Sequence, residues 1–189
     1  MKIFLIRHGE SEGNVIHQIN DDPSRIVNLT VRGRAQAEKA SDRLRKIPFT
    51  NAYASEFPRA QQTAAILLRH HELILDIDAR LNERRSGMDG LPVDAFNDYV
   101  RADYLRIKPP MGESFLELMQ RLRSFLDEVA GRSPDATVLA VSHENPIVAA
   151  LALTADDPEL VMRDSVANCE WVELDWLVGS GAAISPCAR

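Results

Sequence analysis

The chain has 189 residues, of which 45% are hydrophobic and 26% charged, a composition suited to one globular domain with a buried core. With 22 basic and 28 acidic residues the net charge is −6, which argues against a nucleic-acid or membrane-surface partner, so an anionic ligand needs a local cationic pocket. The apolar run Ile3 to Ile6 is too short for a leader or a span, and Cys169 and Cys187 make neither a disulfide framework nor a metal-ligand pattern, so the expected setting is the cytoplasm.

Lys2 to Arg7 reads as a buried strand. Thr30 to Lys46 reads as a helix capped by Thr30, with Ala37, Ala40, Leu44 and Ile47 on one face. Asn51 to Ser55 is a second strand, followed by a helix from Pro58 to about His70, and Leu73 to Ile77 is a third strand. Irregular chain with Gly87, Gly90 and Pro92 precedes helices expected near 93–106 and 114–130, separated by Pro109, Pro110 and Gly112. Thr137 to Ser142 is a fourth strand, Pro146 to Leu153 a helix that Asn145 can cap, and Glu170 to Trp176 a last strand. This alternation predicts a three-layer α/β/α sandwich around a mainly parallel sheet, with a short cap segment after the third strand. We expect one domain over 1–178, its cap at about 84–112, and a flexible tail over 179–189.

In parallel sheets ligands gather beyond the carboxyl ends of the strands, and the unusual residues fall there. Arg7-His8-Gly9-Glu10-Ser11 follows the first strand. Ser55 to Thr63 follows the second, with Pro58 suited to the first helical position and Arg59 in a first turn where the helix dipole disfavours a cation. Val141-Ser142-His143 ends the fourth strand beside a helix N-terminus, a setting that favours a bound anion. Taken singly, each is equally a solvated arginine or a packed histidine. Together Arg7, His8, Arg59 and His143 would form a phosphate-sized cationic pocket, with arginines suited to phosphate oxygens. His8 can act as a nucleophile if its ring is neutral and held through its other nitrogen. Glu83 is the best-placed carboxylate to serve as an acid, although on the residues alone a surface glutamate beside Arg84 and Arg85 is the favoured reading.

The motif Arg7-His8-Gly9-Glu10-Ser11 with Asn14 resembles the signature of the histidine phosphatase superfamily, in its phosphoglycerate-mutase-like branch. The likeness continues in order through Leu29-Thr30, Gly33 and Gln36-Ala37; Ser55 with Arg59 to Ala64; Leu81-Asn82-Glu83 with Gly87 and Gly90; Gly112-Glu113-Ser114; and Val141-Ser142-His143. The resemblance implies phosphomonoester hydrolysis through a phosphohistidine on His8, with Glu83 as general acid. It implies that Arg7, Arg59 and His143 hold the phosphoryl oxygens, supported by Asn14, with no metal and no cofactor. The expected ligand is a small phosphorylated metabolite, and a homodimer is compatible with the sequence.

Two departures bear on the substrate. Glu144, Asn145 and Pro146 follow His143 where many relatives have glycines, and a carboxylate there would weaken phosphate binding or favour a cationic substrate unless it points away. Met88-Asp89 stands near Gly90 in place of a frequent aromatic. Two alternatives remain open at this point: a phosphoglycerate mutase, which the short segment after Glu83 disfavours, and a non-catalytic module that binds phosphorylated ligands.

Overall fold

A computed structural model describes residues 1–157 and 165–179. Apart from Gly179, the expected tail lies outside the described residues, as does Cys187. The sheet has five strands, β1 (Lys2–Arg7), β2 (Asn51–Ala54), β3 (Leu75–Ile77), β4 (Thr137–Ser142) and β5 (Trp171–Asp175), in the order β3-β2-β4-β1-β5. β5 runs antiparallel to β1, and all other pairings are parallel.

β1 and β4 lie inside the sheet, and their apolar runs serve both faces because alternate side chains point to opposite sides. Ile3, Leu5, Val138 and Ala140 pack on one face against α5 (Phe115–Arg132) and α6 (Glu144–Thr154). Phe4, Ile6, Leu139 and Val141 pack on the other against α2 (Val31–Leu44) and α3 (Pro58–Leu67). The three layers expected from the alternation are present. Among the described residues no helix is long and apolar enough to cross a membrane.

Register positions the site. Ile6 pairs with Val141, Arg7 with Ser142, and Ala54 with Val141, so three parallel strands end at one level. The His8 N–H donates to the Ser142 carbonyl at 3.0 Å, and the Ser55 N–H to the Val141 carbonyl at 3.1 Å. His8, Ser55 and His143 therefore leave the sheet side by side. Gly33, in the first turn of α2, seats the loop after β1: a Cβ there would lie 2.0 Å from the Glu10 carbonyl oxygen. A side chain would push the helix off the loop that carries His8.

Several boundaries differ from expectation. β3 starts at Leu75 because β2 offers pairing only from Ala52 onward. The helix expected over 93–106 is α4 (Val93–Val100), which stops because the Tyr104 and Ile107 carbonyls accept from the buried Arg84 guanidinium. α6 begins at Glu144, with His143 in the cap position, so Asn145 lies in the first turn and does not cap. Pro146 is tolerated there because the first-turn N–H groups of a helix have no intrahelical partner. A four-residue helix, α1 (Glu12–Val15), was not anticipated; Ser11 caps it, with Asn14 closing the capping box.

The turn that bears Glu83 is tied to α5. Arg121 donates to the carbonyls of Arg80 at 2.7 Å and Asn82 at 3.1 Å and pairs at 2.6 Å with Glu113, whose side chain is 1% exposed. Arg121→Met should cost about 3–5 kcal/mol in urea unfolding, because it leaves a buried carboxylate without its main partner. A loss below about 1 kcal/mol would mean that Arg85, now 3.7 Å from Glu113, takes over the pairing.

Candidate active site

At the end of β1 the His8 ring is 3% exposed. Its Nδ1 lies 2.7 Å from the Gly9 carbonyl oxygen, which accepts only if Nδ1 carries the proton. Nε2 is then free to accept, and the Arg59 Nε–H donates to it at 3.1 Å. Burial, and then the Arg59 charge, hold the imidazole well below its ordinary pKa of 6.5 against the upward pull of the Gly9 carbonyl. His8 is therefore a neutral imidazole with a directed lone pair.

Arg59 follows Pro58 in the first turn of α3 and is 4% exposed. Its guanidinium donates to the side chain of Asn20, to the Asn20 carbonyl at 3.1 Å and to His143 Nδ1 at 3.2 Å. Loss of solvent lowers its pKa to about 10, opposed by the charges of Glu83 and Asp89. Because His143 Nδ1 accepts, its Nε2 carries the proton and donates to Ser55 Oγ at 2.8 Å. The ring is fully buried, and burial, Arg59 and His8 hold it well below 6.5.

Arg7 donates from one terminal nitrogen to the Val166 carbonyl at 2.5 Å and pairs with Glu144 at 3.0 Å. Among the described residues its buried Nε–H has no hydrogen-bond partner. Asn14 uses its amide oxygen to accept from the Ser11 N–H at 3.0 Å, which leaves its NH2 group to offer a ligand. Glu83 is partly exposed and accepts from the Arg84 N–H at 2.8 Å. Burial raises its pKa above the ordinary 4.5, and the Arg84 N–H, Arg59, Arg7 and Asn145 only partly oppose the rise.

Arg7, His8, Asn14, Arg59, Glu83 and Glu144 line one cavity of about 410 Å³. Of the residues expected in the site, His143 alone does not reach its wall; it sits behind Arg59, its ring 5.0 Å from that of His8. Glu144 does not point away. Its carboxylate faces the cavity and holds Arg7. Among the described residues no cluster of three or more His, Cys, Asp or Glu is arranged to hold a metal ion.

Sequence reasoning missed the loop that orients Arg59. Asn20 holds the guanidinium, while the Asp89 carboxylate accepts from the Asp21 N–H at 3.0 Å and pairs with Arg25 at 2.9 Å. The only signal was Asp89 itself, at a position where relatives often carry an aromatic. Arg84, expected beside a surface glutamate, is 2% exposed, and its guanidinium lies 4.9 Å from the Phe96 ring and 4.7 Å from that of Tyr104. It is a packing residue in the wall. Of the apolar side chains in the cap segment, Phe96 lines the cavity, whereas Met88 and Tyr99 do not.

Comparison with known proteins identifies the family. The chain is 30% identical over 152 residues to the adenosylcobalamin/alpha-ribazole phosphatase of Escherichia coli, covering 76% of this chain and 74% of that protein. It is 29% identical over 188 residues to a Yersinia enterocolitica protein named "Probable phosphoglycerate mutase GpmB", covering 93% and 85%. The solved alpha-ribazole phosphatase of Shigella flexneri superposes with a TM-score of 0.80 at 25% identity, covering 96% of this chain and 98% of that one. The family model for the histidine phosphatase superfamily (branch 1) matches residues 3–184, and the chain belongs to that family.

Proposed function

We propose that the protein hydrolyses small phosphate monoesters through a phosphohistidine at His8, with Glu83 as general acid. The observation that carries this reading is the pairing, in one cavity, of a neutral His8 with an acceptor Nε2 and a Glu83 whose pKa burial raises. Nε2 attacks phosphorus, the bond from phosphorus to the ester oxygen breaks, and Glu83 protonates the departing alkoxide. The resulting Glu83 carboxylate then takes a proton from water as that water attacks the phosphohistidine. Phosphate leaves, His8 is neutral again, and Glu83 has recovered its proton.

Arg59 has a double part. Its Nε–H holds the His8 lone pair in the empty site, and on attack it is freed to meet a phosphoryl oxygen. Arg7 supplies its guanidinium, and Asn14 its NH2 group. His143 is the third member of the clamp. It acts through Arg59, whose guanidinium donates to its Nδ1 and is positioned by it.

Hydrolysis is favoured over transfer between hydroxyls by the segment 84–112, which contributes one eight-residue helix and loops, a small cover for a site that must exclude water. Phosphate release from a panel of esters, measured beside interconversion of phosphoglycerates, tests this. Efficient interconversion with negligible release would assign the protein to mutase chemistry.

His8→Ala should abolish acid-labile labelling by a phosphoryl donor, and Glu83→Gln should lower turnover about 10²- to 10⁴-fold while phosphate still binds. Labelling that survives in the His8→Ala protein would place the nucleophile elsewhere.

The pH dependence follows from the two shifts. Activity requires His8 unprotonated, so the acid limb of kcat/KM should lie below 6.5, where its depressed pKa falls. It also requires Glu83 protonated, so an alkaline limb should appear above 4.5 and vanish in Glu83→Gln. A flat profile from about pH 5 to 8 in the unaltered protein would contradict the assignment.

A further inference from the structure

The chemistry above uses one carboxylate, yet the cavity has two. Glu144 is the first residue of α6, where an acidic side chain suits the helix dipole. That role requires no particular direction, but the side chain is turned into the cavity, with Oε2 3.0 Å from Arg7 and the side chain 33% exposed. A substrate whose phosphate lies on Arg7 therefore comes close to this carboxylate.

The rest of the lining offers no compensation. Gln18, Ile19, Val93, Phe96 and Asn97 belong to it and carry no charge. Arg84 also borders the cavity, but two of its guanidinium nitrogens donate to the carbonyls of Glu113, Tyr104 and Ile107; the third has no hydrogen-bond partner among the described residues, and the group is packed among the rings of Phe96, Tyr104 and Phe115. Among the described residues, the lining therefore has cations for one phosphoryl group and none for a second anionic group. We infer that Glu144 sets the substrate class, favouring phosphate monoesters with a protonated amine close to the ester oxygen and rejecting those with a carboxylate there. This rests on the phosphatase reading and deepens it. The amine would pair with Glu144, whereas a carboxylate would meet a like charge in a partly desolvated cavity.

The test compares O-phosphoethanolamine with phosphoglycolate, two small esters that differ in the sign of the distal charge. The unaltered protein should favour the amine ester in kcat/KM by about tenfold or more, and Glu144→Gln should shrink that ratio by about tenfold. Glutamine keeps the shape and a hydrogen-bond acceptor for Arg7. Any change at the phosphate end acts on both esters and cancels in the ratio. A residue that only braces Arg7 would leave the ratio unmoved, and that result, or a native preference for phosphoglycolate, overturns the inference.

Binding separates the two claims. Dissociation constants of both esters measured by calorimetry on the His8→Ala protein, with and without Glu144→Gln, need no turnover. A binding preference that Glu144→Gln removes, in a protein that hydrolyses no ester, would sink the phosphatase reading and keep the role of Glu144. Hydrolysis of p-nitrophenyl phosphate with an unmoved ratio would do the reverse. Failure of both esters to bind counts against the inference.

Discussion

Arg59 donates its Nε–H to the lone pair of His8 Nε2, and this contact between a buried cation and a buried base sets the state of the whole site. A guanidinium at a helix N-terminus, out of water, is poorly placed on two counts: the helix dipole repels it and desolvation depresses its pKa to about 10. Asn20, His8 and His143 satisfy its N–H groups, but all three partners are uncharged. The cavity thus offers an anion a buried cation whose present partners carry no charge. The aligned ends of β1, β2 and β4 bring these groups together, because parallel strands in register deliver their C-terminal residues to one level.

Burial acts in opposite directions on the two groups assigned to proton and phosphoryl transfer. It destabilises the charged form of each, which for imidazole means staying neutral and for a carboxyl means keeping its proton. At ordinary values of 6.5 and 4.5, any pH that leaves the histidine neutral strips the glutamic acid of its proton. The opposed shifts move the pair toward the required state. The two arginines lower both pKa values, so they favour the nucleophile and act against the acid, and burial of Glu83 has to outweigh them. That burial is mechanical in origin. Ser142 Oγ–H donates to the Leu81 carbonyl at 2.7 Å and Arg121 takes the carbonyls on either side, which pins the turn against the end of β4.

Most of the sheet and the strand-end residues were legible because their signals are local. Apolar runs marked β1 and β4, proline and arginine marked the start of α3, and the topology of α/β folds did the rest. What escaped was non-local and polar. The loop carrying Asn20 and Asp21 is held by Asp89 and Ser86, more than sixty residues away, through side-chain contacts that leave no periodic trace. Arg84 was misjudged because a buried arginine and a surface one are identical in sequence. Only the three carbonyls and the aromatic rings gathered around it distinguish them. His143 was legible as a site residue, but its place behind Arg59 depends on a tautomer fixed by the Arg59 donor at its Nδ1.

Four arginines lie around Glu83, and the count of charges does not say which of them can bind a substrate. The hydrogen bonds already made by each decide it. Arg121 spends its donors on Glu113 and on backbone carbonyls, so it stiffens the turn and has little left to give. Arg84 has one terminal nitrogen without a hydrogen-bond partner, but the rings of Phe96, Tyr104 and Phe115 surround its guanidinium and take up the cation by their π faces. Arg59 makes bonds it can exchange, since its partners are neutral groups that give way to a dianion. Arg7 is divided between a carbonyl and Glu144 and still has a buried Nε–H unmet. Two exchangeable cations suit one phosphoryl group, and a carboxylate at their edge leaves no surplus for a second anion. The acidic protein therefore does not need a broad positive surface; it needs two guanidinium groups whose existing partners are weaker than phosphate.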